Sequence, residues 1–184
     1  LEAAAELKTA LGTAEASPTS GHLVLCHRLA ARIALEDGDL LRAADAVARV
    51  QQTSTSTKDR SEAALLDAML ARALGNPYAE HAAEALALAG QSDNRTAAME
   101  AHVLLCSAAH ADADLAAART HLAMAAAIRN RIADALPEDH RRRFLSLPQF
   151  AELSRLEIAL EAGDLQGGPS TLRSSKTSAS GDDA

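Results

Sequence analysis

An all-α fold of antiparallel helical hairpins stacked into a solenoid is predicted by three observations. They are the identity of the apolar residues, a nearly duplicated octapeptide, and a series of recurring turns. Apolar residues make up 48% of the 184-residue chain, yet aromatics are 2% and Trp is absent, so the apolar content is mostly Ala and Leu. These are strong helix formers, and the Val, Ile, Tyr and Phe runs that build strands are missing. A core of alanines forms when helix backbones approach closely. The stretch Ile33 to Leu40 reads IALEDGDL and Ile158 to Leu165 reads IALEAGDL, so the two differ only at Asp37 and Ala162. The turns centred on Gly38, Gly75, Ala113 and Gly163 are spaced by 37, 38 and 50 residues, the last spacing stretched by an insertion. Self-similarity at such a period is the signature of stacked helical repeats.

Taken in chain order, residues 2–14 read as the second helix of a repeat whose first helix lies upstream. This leaves an apolar stripe at Ala3, Ala4, Leu7 and Leu11 that could mediate a homodimer. Hairpins follow near 20–52, 59–90 and 94–135, with helices predicted over 20–37, 39–52, 59–74, 77–90, 94–111 and 113–135. In the first hairpin Gly38 ends a helix in a left-handed conformation and Asp39 caps the next. The run Thr53-Ser54-Thr55-Ser56-Thr57 reads as an exposed loop between units. The second unit turns at Gly75-Asn76-Pro77, and the third aligns from His102 with the first from His27, pairing Asp39 with Asp114 and Leu40 with Leu115. A short helix over 138–146 and a terminal helix over 148–162 complete a domain spanning 1–165. The remainder, 166–184, carries Gly167-Gly168-Pro169 followed by a Ser/Thr-rich stretch, and reads as a disordered linker or tail.

A small-residue helix, a Gly-Asp-Leu turn and then Ala at the next helix crossing resembles the tetratricopeptide repeat, over roughly residues 1–165. The resemblance implies a right-handed α-solenoid. It places Ala31, Ala68 and Cys106 at the small position of the first helix, Ala43 and Ala118 at that of the second, and Ala125 at the closing small position. Leu40, Leu115, Val47 and Leu122 stand where the repeat has large aromatics, and Asp67 stands where it has an apolar residue. The stretch Leu136-Pro137-Glu138-Asp139-His140-Arg141-Arg142-Arg143-Phe144-Leu145 is in turn similar to the end of helical-repeat segments in large bacterial signalling regulators of the serine/threonine kinase or sigma-54 activator type. That similarity implies a scaffold or sensor segment beside an output domain. The absence of an initial Met fits a piece of a longer polypeptide.

Composition narrows the function classes. A net charge of −7 and a pI near 5.4 oppose a general nucleic-acid surface, which needs clustered cations to displace counterions. No apolar run reaches the roughly 20 residues of a membrane helix, so a cytoplasmic location with reduced Cys26 and Cys106 is expected. No Walker loop, H-E-x-x-H or G-x-S-x-G motif is present, and the expectation is a non-catalytic chain without cofactor or metal. The nearest approach to a metal motif is His102, Cys106 and His110 at i, i+4 and i+8, which His81 or His121 could complete. The plainer account makes Cys106 the small residue at a helix crossing, and His22 with Cys26 reads the same way.

The repeat pattern implies that the first helix of each hairpin lines a concave face where a partner peptide or a neighbouring domain docks. The lining residues on that register are Leu25, Arg28, Arg32, Leu35, Glu62, Leu65, Met69, Arg72, Glu100, Val103, Ser107, His110, Leu153 and Glu157. Arg28, Arg32 and Arg72 share the hollow and favour an acidic ligand, or else pair only with nearby Glu. Two alternatives stand beside this. Nucleic acid or an acidic partner could bind the cluster Arg129, Arg131, Arg141, Arg142 and Arg143, although Asp134, Glu138 and Asp139 lie close enough in sequence to neutralise it. Otherwise the array is a purely structural spacer.

Overall fold

A computed structural model describes residues 9–10, 12–13, 20–147 and 150–166, and every described element is a helix. Among the described residues eight full helices run in order: α1 (Ser20–Glu36), α2 (Leu40–Thr53), α3 (Thr57–Ala73), α4 (Ala79–Gln91), α5 (Arg95–Ala111), α6 (Leu115–Asp134), α7 (Glu138–Leu145) and α8 (Ala151–Gln166). No strand occurs among the described residues. Residues 9–10 and 12–13 are helical. The rest of the predicted helix over 2–14, with its dimer face, and the predicted tail beyond Gln166 lie outside the described residues.

Recurring turn chemistry sets the helix boundaries. Gly38 (φ 73°) and Gly75 (φ 74°) adopt the left-handed conformation expected at a helix end, and Ala113 (φ 59°) adopts it in the third unit despite its Cβ. At each turn the N–H one residue further on donates to a carbonyl five residues back: Asp39 to Ala34 at 2.9 Å, Asn76 to Ala71 at 2.8 Å and Asp114 to Ala109 at 2.9 Å. Asp93 (φ 47°) ends α4 in the same way, with Asn94 N–H donating to Ala89 at 2.9 Å. Asp39, Ser56, Asn94 and Asp114 then cap α2, α3, α5 and α6 by accepting a backbone N–H of the first turn. The Ser/Thr run is shorter as a loop than expected, because Thr53 ends α2, Ser56 caps α3 and Thr57 begins it.

One turn does not form. At Gly163, in the second copy of the octapeptide, the chain stays helical to Gln166. In the first copy, Asp39 caps a helix that folds back onto α1. The same eight-residue pattern thus ends one helix and continues another.

Packing joins neighbours in sequence. Helices α1 and α2, α3 and α4, and α5 and α6 pair across their turns, while α2 meets α3 and α4 meets α5. The first helices also meet directly, α1 on α3 and α3 on α5, and α8 joins this row against α5 and α6. Core layers therefore draw on three helices each, such as Ala31, Ala46, Val50 and Leu66 from α1, α2 and α3, or Leu65, Ala68, Ala85 and Ala101 from α3, α4 and α5. Every small position named by the repeat pattern, Ala31, Ala43, Ala68, Cys106, Ala118 and Ala125, is 0% exposed. Asp67, the misfit of the second unit, remains half-buried and pairs with His81 at 3.2 Å.

Candidate functional site

Where α1, α3, α5 and α8 face one another they leave a groove of about 690 Å³. Its apolar lining is Leu35 from α1, Leu65 and Met69 from α3, Met99, Val103 and Leu104 from α5, and Phe150 with Leu153 at the start of α8. Arg32, Glu36, Arg72, Glu100, Glu152 and Arg155 supply its charges. Of the residues assigned to a concave face from the sequence, Arg32, Leu35, Leu65, Met69, Arg72, Glu100, Val103 and Leu153 line it. Leu25, Arg28, Glu62, Ser107, His110 and Glu157 do not. Leu25 and His110 are exposed elsewhere, Glu62 is buried beneath α1, and Glu157 pairs with Arg129 at 3.6 Å.

The three arginines expected to capture an acidic ligand already hold carboxylates. Arg28 Nη2 lies 2.8 Å from Glu62 Oε2, Arg32 Nη2 lies 2.9 Å from Glu100 Oε2 and 3.6 Å from Glu62 Oε2, and Arg72 Nη1 lies 2.6 Å from Glu152 Oε1. Glu62 is also fixed from below. Asn94 Nδ2 donates to Glu62 Oε1 at 2.9 Å and to Ser61 Oγ at 3.1 Å, while Asn94 Oδ1 accepts the Ala97 N–H. One buried amide thus caps α5 and ties it to α3. Burial raises the Glu100 pKa above the usual carboxylate range although Arg32 pulls the other way. Burial likewise opposes the Arg32 charge, but Glu100 and Glu62 outweigh it and raise the Arg32 pKa. The guanidinium charge is therefore neutralised internally, and these arginines give no electrostatic preference for an acidic ligand.

Two of these pairs span more than one helix gap. Arg32 of α1 reaches Glu100 of α5 past α3, and Arg72 of α3 reaches Glu152 of α8 past α5. Sequence register missed Glu36, Ala73, Met99, Leu104, Phe150, Glu152 and Arg155: it assigned α8 to the face through Leu153 and Glu157 but not which neighbouring side chains of each helix reach the groove.

Of the residues considered for metal, only His102 and His121 come together. His102 Nδ1 lies 3.0 Å from His121 Nδ1, and the ring centroids are 5.3 Å apart. The nitrogens face each other, the geometry of a hydrogen bond in which one ring donates and the other accepts. Lone pairs that face each other do not converge on a metal. Cys106 is buried against Ala118, Leu156 and Leu160, its thiol pKa raised by burial and further by Glu152. His110 is exposed, and His81 serves Asp67. No cluster of three metal-ligating side chains occurs among the described residues.

In the basic cluster, Arg141 pairs with Asp134 at 2.9 Å and Arg142 with Asp139 at 3.1 Å and Glu138 at 3.5 Å, the carboxylates named from the sequence. Arg129 turns instead to α8. No described helix is long and apolar enough to cross a membrane. Compared with known proteins, the chain matches no family model, no curated protein and no solved structure at a significant level.

Proposed function

We propose that this chain is a non-catalytic interaction segment, a tetratricopeptide-like right-handed α-solenoid that holds a segment of a partner protein or a neighbouring domain in the groove of its first helices. The observation that carries this is the groove itself. One helix from each hairpin, together with α8, contributes an apolar floor flanked by charges, at a size that accommodates several side chains. Met69 and Met99 in the floor are unbranched and adapt to differently shaped occupants. The full burial of all six small positions supports the repeat register behind the solenoid. A place in the cytoplasm within a bacterial signalling or transcription regulator is the context that the Leu136–Leu145 stretch suggests.

The test is selection from a displayed random peptide library, with Val103→Trp as a counter-target that fills the groove from α5. Enriched peptides are expected to bind the wild-type protein and to lose binding to Val103→Trp while its helical circular dichroism is unchanged. Enriched peptides that bind both proteins equally, or that lose binding on Arg141→Glu with Arg142→Glu instead, would place the interaction outside the groove.

A further inference from the structure

With the ion pairs set aside, the charges lining the groove do not cancel locally. At the α1 end Arg32 and Glu100 neutralise each other, leaving Glu36, which has no cation within ion-pair reach among the described residues. Glu36 is the last residue of α1, whose final turn carries no basic side chain, so the negative end of the helix dipole reinforces it. At the α8 end Arg72 and Glu152 neutralise each other, leaving Arg155, which among the described residues has no ion-pair partner and makes one hydrogen bond, 3.4 Å from its Nε to the Ala151 carbonyl. The groove thus has a negative end, an apolar middle and a positive end. Both unpaired groups are exposed.

We infer that the groove takes a bipolar segment of a partner protein: a short apolar stretch with a basic residue on the side that meets Glu36 and an acidic residue on the side that meets Arg155. The inference rests on the groove reading above and adds a charge order to it. A uniformly acidic segment meets Glu36 and finds Arg32 and Arg72 already occupied. A uniformly basic segment meets Arg155. Only opposite charges at opposite ends are complementary to both.

Four synthetic, fluorescently labelled peptides with one apolar core test this: one flanked by Lys-Lys and Glu-Glu, one by Lys-Lys twice, one by Glu-Glu twice, and one uncharged. Anisotropy titrations at low salt should rank the bipolar peptide first, by about two- to fivefold per matched charge. Glu36→Lys should move the preference to the all-acidic peptide and Arg155→Glu to the all-basic one. Combining the two substitutions should restore the bipolar preference. If the peptides bind and are displaced by Val103→Trp but their ranking ignores Glu36 and Arg155, the charge order is wrong while the groove reading stands. If the wild type prefers the all-acidic peptide and loses it on Arg72→Ala, the internal pairs yield to ligand and the inference falls. Should no peptide bind detectably, both the inference and the groove reading fail.

Discussion

Single residues at the helix ends carry tests whose signs differ between positions that look alike in sequence. Gly38 has a positive φ and open space where a Cβ would stand, so Gly38→Ala meets only the backbone penalty. It should lower stability by about 1 kcal/mol in urea denaturation. Gly163, the matching residue in the octapeptide copy, lies within α8, and Gly163→Ala should raise stability by a comparable amount, about 0.8–1 kcal/mol. Ala113→Gly should also stabilise, by relieving an Ala held at φ 59°. The His102–His121 contact yields a pH dependence. Burial, with His121 adding to it, lowers the His102 pKa in the folded protein, so below the ordinary histidine range of about 6.5 the unfolded chain binds more protons. Stability contributed by this residue is therefore complete above that range and is lost as pH falls through it towards the folded pKa. Thermal melts from pH 7.5 to 5 should show the decline, and His102→Leu should flatten it.

At the scale of elements, existence and order were legible because capping and turn residues punctuate the chain. Asp39, Asn94 and Asp114 stand one residue before the helices they cap, and the predicted boundaries fall within a few residues of those observed. What local sequence did not reveal is the end of α8, since one octapeptide serves both as a turn and as continuous helix. In the first copy the helix that follows the turn packs back onto α1. Asn94 is the element-level hinge of stability, because its side chain caps α5 and reaches Ser61 and Glu62 on α3. Asn94→Ala should cost about 2–3 kcal/mol, combining a lost cap with a buried carboxylate left short of a donor. Hydrogen exchange should locate the loss at the first turns of α3 and α5; an effect confined to α5 would mean the link to Glu62 is energetically idle.

For the whole molecule, the residues of the groove were half legible. Repeat register found Arg32, Leu65, Met69 and Val103 because each sits on a first helix. It put Glu62 and Glu100 on the same face as Arg28 and Arg32 but missed Glu152, since Arg72 and Glu152 are 80 residues apart and, like Arg32 and Glu100 at 68, are brought together only by the packed array. The core has a further consequence. Alanine supplies 14 of the 27 buried apolar residues among those described. In most proteins the damaging core substitution is truncation, but an alanine can be cut back only to glycine, which costs no more than about 1 kcal/mol within a helix plus one methyl group. Enlargement is the sensitive direction: Ala31→Leu or Ala118→Leu should cost about 1–3 kcal/mol or more, while Ala→Ser at the same sites costs less. Random mutagenesis of this chain should therefore yield loss-of-folding variants dominated by gains in side-chain volume, the reverse of the usual spectrum, and sequence drift in its descendants should be confined to residues no larger than serine along the helix crossings.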